Sequence, residues 1–154
     1  MKILLPVDGS ETSKAAVKEL LSRPWPSGSK VEVLSIVQPV PEFLDPQLIG
    51  RAIHAESLER ATKRAHQLVD DTAKTIAEGT SLLEVSTNVL EGSPKEEILE
   101  EASRWGSDLI LMGTHGYGAA KRFLLGSVSH AVALHSPCSV EIVRSRAVET
   151  AAKG

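Results

Sequence analysis

Apolar residues fall along this chain in two regimes, short unbroken runs and longer stretches with helical spacing. Lys2 to Val7 and Asp108 to Met112 are runs without polar alternation, the pattern of parallel strands covered on both faces. Val31 to Val37 is a third run, ended by Pro39-Val40-Pro41, because proline donates no ladder hydrogen bond. Between the first and third runs, Asp8-Gly9-Ser10 turns the chain into a helix. Ser10 is its expected N-cap, Glu11 suits its first turn, and Ala16, Val17, Leu20 and Leu21 make its apolar face until Pro24-Trp25-Pro26 stops it. From Phe43 to Glu78 the spacing of Leu48, Ala52, Leu58, Ala61, Ala65, Leu68, Val69 and Ile76 predicts one long helix, with a possible break at Gly50.

Leu82 to Leu90 does alternate, setting Leu83, Val85, Thr87 and Val89 against Glu84, Ser86 and Asn88, which suits a strand near a sheet edge. Gly92 turns the chain over. Ser93-Pro94-Lys95-Glu96 has the form of a capping box with proline at the first helical position. Ile98, Leu99, Ala102 and Trp105 supply the buried face of that helix, and Gly106 stops it. Val128 to Leu134 is an Ala-rich apolar helix with Ser127 near its N-cap, and Cys138 to Val143 is a last strand.

Strands alternating with helices predict an α/β fold: one open twisted sheet of about five mainly parallel strands, helices on both faces, and right-handed crossovers, a Rossmann-like layout. Residues 1–145 form one expected domain; residues 146–154 lack periodicity and are expected to be a disordered tail. In such sheets ligands bind beyond the carboxyl ends of the strands, where strand order reverses. Asp8 and Gly113 flank one crevice if the first strand and the Leu109 strand are neighbours, an order that periodicity does not fix.

Candidate chemistry concentrates just after Met112. Gly113, Gly116 and Gly118 let the backbone turn tightly and approach a ligand, and Gly126-Ser127 opens a helix. Strand, glycine loop and helix start together form an anion cradle of unpaired N–H groups. Two common phosphate fingerprints are absent. A P-loop needs Lys-Ser or Lys-Thr after its last glycine, where Ser127-Val128 stands, and the dinucleotide pattern needs glycine at Lys121. The spacing present is Gly-x2-Gly-x9-Gly-Ser, at Gly113, Gly116, Gly126 and Ser127. It resembles the ATP-binding signature of the universal stress protein family. The likeness extends to KILLPVDGSETS at Lys2 to Ser13, VEVLSIVQP at Val31 to Pro39, EGSP at Glu91 to Pro94, and SDLILMGTHG.

That resemblance implies an adenine nucleotide α-hydrolase-like fold in which the first strand neighbours the Leu109 strand. It implies ATP with Mg²⁺ as the ligand, and a nucleotide-dependent regulatory homodimer in the stress response. The implied wall for adenine is Pro6, Val7, Ile36 and Met112. Asp8 is placed for ribose or the adenine amino group, although an Asx-turn serving the backbone explains the same residue. Gly113, Gly116, Gly126, Ser127, Val128 and Ser129 are the phosphate and ribose set; turn chemistry and helix capping are their bland explanations. Lys121 and Arg122 are candidates for terminal phosphates or simply solvated cations. The alternative reading is a slow ATP-hydrolysing or nucleotidyl-transferring enzyme, but no activated nucleophile or base is identifiable. His115 has no triad partner in sequence. His130 and His135, five apart on a helix, do not share a face as metal ligands would.

Composition adds exclusions. The chain has 154 residues, 42% hydrophobic and 24% charged, with a formal net charge of −3. Nothing steers it toward nucleic acid or an anionic membrane, and aromatics at 3% give few stacking platforms. No apolar stretch reaches the roughly 18 residues of a membrane span, and MKILLPVDGS is too short in apolar run for a signal peptide. The single cysteine, Cys138, makes no internal disulfide and suits a small buried hydrophobe. A cytoplasmic location is expected. The strand from Cys138 to Val143 should end the sheet, and its exposed edge is the implied homodimer contact, with a further protein partner unidentified.

Overall fold

The computed structural model describes residues 1–39, 51–114 and 125–144, with the side chains of 51–54 outside that description. The expectations for Phe43, Leu48 and Gly50, for His115, Gly116, Gly118, Lys121 and Arg122, and for the tail from 145 onward lie outside the described residues.

Among the described residues five strands and four helices alternate: β1 (Lys2–Pro6), α1 (Glu11–Ser22), β2 (Ser29–Val37), α2 (Arg51–Gly79), β3 (Leu83–Glu91), α3 (Pro94–Trp105), β4 (Leu109–Gly113), α4 (Ser127–His135) and β5 (Ser139–Val143). All four strand pairings are parallel, in the order β3-β2-β1-β4-β5. β1 is therefore central, with Pro6 in register with Leu34 on one side and Leu4 with Ile110 on the other. The order reverses between β1 and β4. β3 is one edge, as its alternation predicts, and β5 is the other.

Each central strand presents apolar residues on both faces because each face has its own cover. Ile3, Leu5, Val31, Val33, Leu109 and Leu111 pack with Ala16 and Leu20 of α1 and Val69 and Ile76 of α2. The intervening Leu4, Leu34, Ile110 and Met112 pack with Ile98 and Ala102 of α3 and Val132 of α4. Trp25, just past α1, folds into the first layer and donates its Nε1–H to Leu20 O at 2.6 Å.

The helix ends follow the sequence in part. Ser10 caps α1 through its Oγ, which accepts the Ser13 N–H at 3.2 Å. Gly106 ends α3 in the left-handed region, φ 70° and ψ 51°, its N–H bonded to Ala102 O. The capping box at Ser93 does not form. Pro94 occupies the first turn, and the Glu96 and Glu97 N–H groups both donate to the Ser93 carbonyl at 3.0 and 2.9 Å, so the hydroxyl has no donor to receive. α4 is capped by Gly126 rather than by Ser127, which is already helical. β5 begins at Ser139, leaving Cys138 half-buried in the turn before it with its N–H on Ser136 Oγ at 3.2 Å.

Candidate functional site

Because every strand is parallel, α1, α3 and α4 all begin at the carboxyl end of the sheet, and their positive dipole ends converge there. A cavity of about 470 Å³ opens at that end, over the reversal between β1 and β4. That volume lies in the range of small-molecule sites, roughly 300–1,000 Å³. The end of β1 contributes Pro6, Val7 and Asp8; β2 contributes Leu34, Ile36 and Gln38; and β4 contributes Met112 and Gly113. Gly126, Ser127, Val128 and Ser129 come from the start of α4, Ser13 from α1, and Pro94 and Ile98 from α3.

All the sequence-derived candidates within the described residues thus meet around one cavity. Asp8 is the only charged group lining it among those residues. Its Oδ1 accepts the Ser10 N–H at 2.9 Å, so the Asx-turn role is realised while the carboxyl also borders the cavity. Val7 has left β1 but donates its N–H to Leu34 O at 2.8 Å, which extends the apolar wall one residue past the strand.

The start of α4 differs from that of α1. Gly126 has no side chain, so among the described residues no side-chain cap takes up the first-turn N–H groups of Ser127, Val128 and Ser129, which have no intrahelical acceptor. Ser127 is exposed and lines the cavity. The Ser129 hydroxyl is engaged elsewhere, donating to Thr114 O at 2.7 Å with Gly126 O also near at 3.1 Å. Together with the Gly126 N–H on Thr114 O at 2.9 Å, it pins the helix start to the end of β4. Ser129 therefore positions the cradle through its side chain.

Gly113 has a packing reason of its own. A Cβ there would lie 2.5 Å from the Thr12 carbonyl carbon, 2.6 Å from Thr12 Oγ1 and 2.7 Å from Thr12 O. Glycine is needed at 113 because the first turn of α1 crosses it.

Sequence reasoning missed Ser13, Leu34, Gln38, Pro94 and Ile98. Leu34 was open to inference, being two residues from Ile36 on the same strand face. Pro94 stands in the EGSP segment, but its place at the cavity depends on α3 covering β2, which no local pattern reveals. Among the described residues no three His, Cys, Asp or Glu side chains cluster as metal ligands, and His66, His130 and His135 are exposed. No helix among them is long and apolar enough to cross a membrane.

The model of the Universal stress protein family matches residues 1–144. A universal stress protein of Thermus aquaticus, from the QAH/OAS sulfhydrylase 3' region, is 35% identical over 145 residues, covering 92% of this chain and 97% of its own. Among solved structures, the hypothetical protein MJ0577, studied as a test case of structural genomics, superposes with a TM-score of 0.81 at 28% identity, over 94% of this chain and 96% of its own. Universal stress protein UspA from Lactobacillus plantarum gives a TM-score of 0.76 at 26% identity, over 94% and 97%.

Proposed function

Starting from a chain that belongs to the universal stress protein family, we propose that it is an ATP-binding regulator of the stress response, active in the cytoplasm as a homodimer and signalling through its nucleotide state to another protein. The observation that carries this reading is the uncapped start of α4 beside an apolar cavity at the strand-order reversal. The apolar lower wall, Val7, Leu34, Ile36, Ile98 and Met112, suits a flat base, and Asp8 offers a carboxylate to its amino group or to ribose hydroxyls. Phosphate oxygens then fall to the N–H groups of Ser127, Val128 and Ser129, where the α4 dipole favours negative charge. Gly116, Lys121 and Arg122 are assigned to the phosphate end on the sequence pattern alone.

Magnesium is proposed to enter with the phosphates rather than on a protein cage, as an ion that keeps several waters and takes one or two protein ligands. The edge of β5 is the proposed contact between copies. Backbone N–H groups bind ground-state and transition-state phosphate about equally, which favours affinity over rate. Hydrolysis slower than about one turnover per minute is therefore expected, far below the usual enzyme range of roughly 1–10³ s⁻¹.

Thermal denaturation with and without ATP and Mg²⁺ tests the binding. At about 100 Kd, linkage stabilises the fold by roughly 2.7 kcal/mol and raises Tm by about 5–10 °C. Adenosine alone should shift it less. No shift at millimolar ATP would remove the nucleotide reading, and turnover of several ATP per second would replace the regulator with an enzyme.

A further inference from the structure

Below the cavity, on the same two elements that wall it, lie two buried carboxyl groups. Glu32 precedes Leu34 and Ile36 at the two-residue spacing that keeps all three on one face of β2. Glu101 follows Pro94 and Ile98 on α3 at the four- and three-residue spacings that keep those on one helix face. Leu34, Ile36, Pro94 and Ile98 all line the cavity. The Glu32–Glu101 contact is the next layer down between the same strand and helix. Glu32 is 6% exposed and Glu101 3%.

Cation supply to this layer is lopsided. Arg104 donates its Nε–H to Glu101 Oε2 at 2.7 Å and a second N–H to Glu101 Oε1, and it is exposed on its outer side. Glu32 Oε1 is buried with no hydrogen-bond partner among the described residues. Lys2 of β1 faces the pair from further away, its Nζ bonded to Trp105 O at 2.8 Å, and the neutral Asn88 of β3 lies beside Glu101. One guanidinium thus serves two carboxyls. Burial pushes the Glu32 carboxyl up to about 7, helped by its hydrogen bond to Glu101 and by that group's charge, while Arg104 and Lys2 pull the other way. Burial also acts to raise Glu101, but the Arg104 and Glu32 hydrogen bonds outweigh it and hold that carboxyl below its ordinary value.

The geometry points to Glu32 and Glu101 as a carboxyl pair sharing one proton, which ties the ligand affinity of the cavity above them to pH through the seating of α3 on β2. The inference rests on the nucleotide reading of that cavity. With the proton on Glu32, the pair and Arg104 are neutral together and α3 sits close. When the proton leaves to solvent, two carboxylates face each other in a buried layer, with Arg104 bonded to Glu101 alone and Lys2 further off. Repulsion and the entry of water then lift α3, and Pro94 and Ile98 move with it. A ligand that needs the closed wall binds more weakly as pH rises through neutrality.

Carboxyl-carbon NMR of the protein, together with calorimetric titration of ATP and Mg²⁺ into the protein and its Glu32→Gln variant, tests this. Glutamine keeps the shape of the protonated acid without titrating, and the pH dependence of the ligand itself is common to both proteins. The parent should lose about fivefold more affinity than Glu32→Gln between about pH 6 and about pH 8.5, the low end of coupling between linked sites. One glutamate resonance should titrate near neutrality and be missing in Glu32→Gln. Parallel affinity profiles in the two proteins, or no glutamate titrating above the ordinary range, would overturn the linkage while leaving nucleotide binding intact. Absence of ATP binding by either protein at every pH would instead overturn the nucleotide reading and the linkage with it. Misfolding of Glu32→Gln would leave the parent's NMR titration, and its proton uptake on binding in buffers of different ionisation enthalpy, to decide.

Discussion

Replacing Gly113 by alanine adds one methyl group, and the structure says where it goes. The Cβ points at α1, 2.5 Å from the carbonyl carbon and 2.7 Å from the carbonyl oxygen of Thr12, both backbone atoms of the helix's first turn. The Thr12 side chain can rotate away, but the carbonyl moves only if the start of α1 moves. α1 is held by Ala16 and Leu20, both fully buried, and by the Ser10 cap. Relief to ordinary contact requires a displacement of about 1 Å, and overpacking of this kind costs about 1–3 kcal/mol. Gly113 lies in β4 without a positive φ, so alanine also lowers unfolded-state entropy and recovers about 0.4–1 kcal/mol. The net loss lies between about 0 and 2.6 kcal/mol, about 1.3 at mid-range, or a mid-range fall in Tm of roughly 3–5 °C for a chain of this size. Thermal and urea denaturation of Gly113→Ala measure it. A raised Tm would refute the packing argument. If ATP affinity collapsed at the same time, Gly113 would have to serve the ligand's approach rather than α1.

Other expectations follow from single observations. Glu32 is pushed from 4.5 up to about 7 by burial and Glu101, so the folded state holds its proton more tightly than the unfolded chain. Its stabilisation is complete below about pH 4.5 and is lost as pH rises to about 7, at most about 3 kcal/mol; Glu32→Gln should flatten that part of the urea-midpoint profile and leave the variant the more stable protein at about pH 8. Gly106→Ala meets nothing within 4 Å, so only its left-handed backbone is strained, and chemical denaturation should show a loss of about 1 kcal/mol. Ile142→Pro removes an N–H from the β5 edge and should turn a dimer into monomer or aggregate by light scattering; a stable dimer would place the interface elsewhere.

The alternation of strands and helices was legible because it depends on local spacing. Leu83, Val85 and Val89 marked β3 as an edge through their polar intervals, and unbroken runs marked β1 and β4 as doubly covered. Strand order was not legible, since the pairing of Leu4 with Ile110 joins segments whose patterns are alike and carry no information about each other. Ser127 lies near the cap of α4, as its pattern suggests, and the cap itself is the preceding Gly126; both residues are acceptable N-caps, and the Ser129 and Gly126 bonds to Thr114 fix the helix start. Ser93 is the N-cap of α3, but its hydroxyl makes no cap bond, because its carbonyl takes the Glu96 N–H that the motif assigns to the hydroxyl.

Residues whose purpose is fixed by the backbone could be found in the sequence; residues whose purpose is fixed by what covers them could not. Glu32 shows the difference. In Val31 to Val37 it is a lone charge in an apolar run, and an acidic residue there suggests a solvent-facing position. α3 instead lies over that face and brings a second acid to it. The sequence separation between Glu32 and Glu101 hides the pair, yet the pair decides how firmly the wall carrying Pro94 and Ile98 is seated. Gly113 shows the converse. The spacing marked it as part of a phosphate loop, and the structure adds a steric demand from α1 that would keep glycine at this position even with no ligand present. A glycine in the pattern is therefore weaker evidence of nucleotide binding than the first-turn N–H groups of Ser127 and Val128, which no side-chain cap among the described residues takes up.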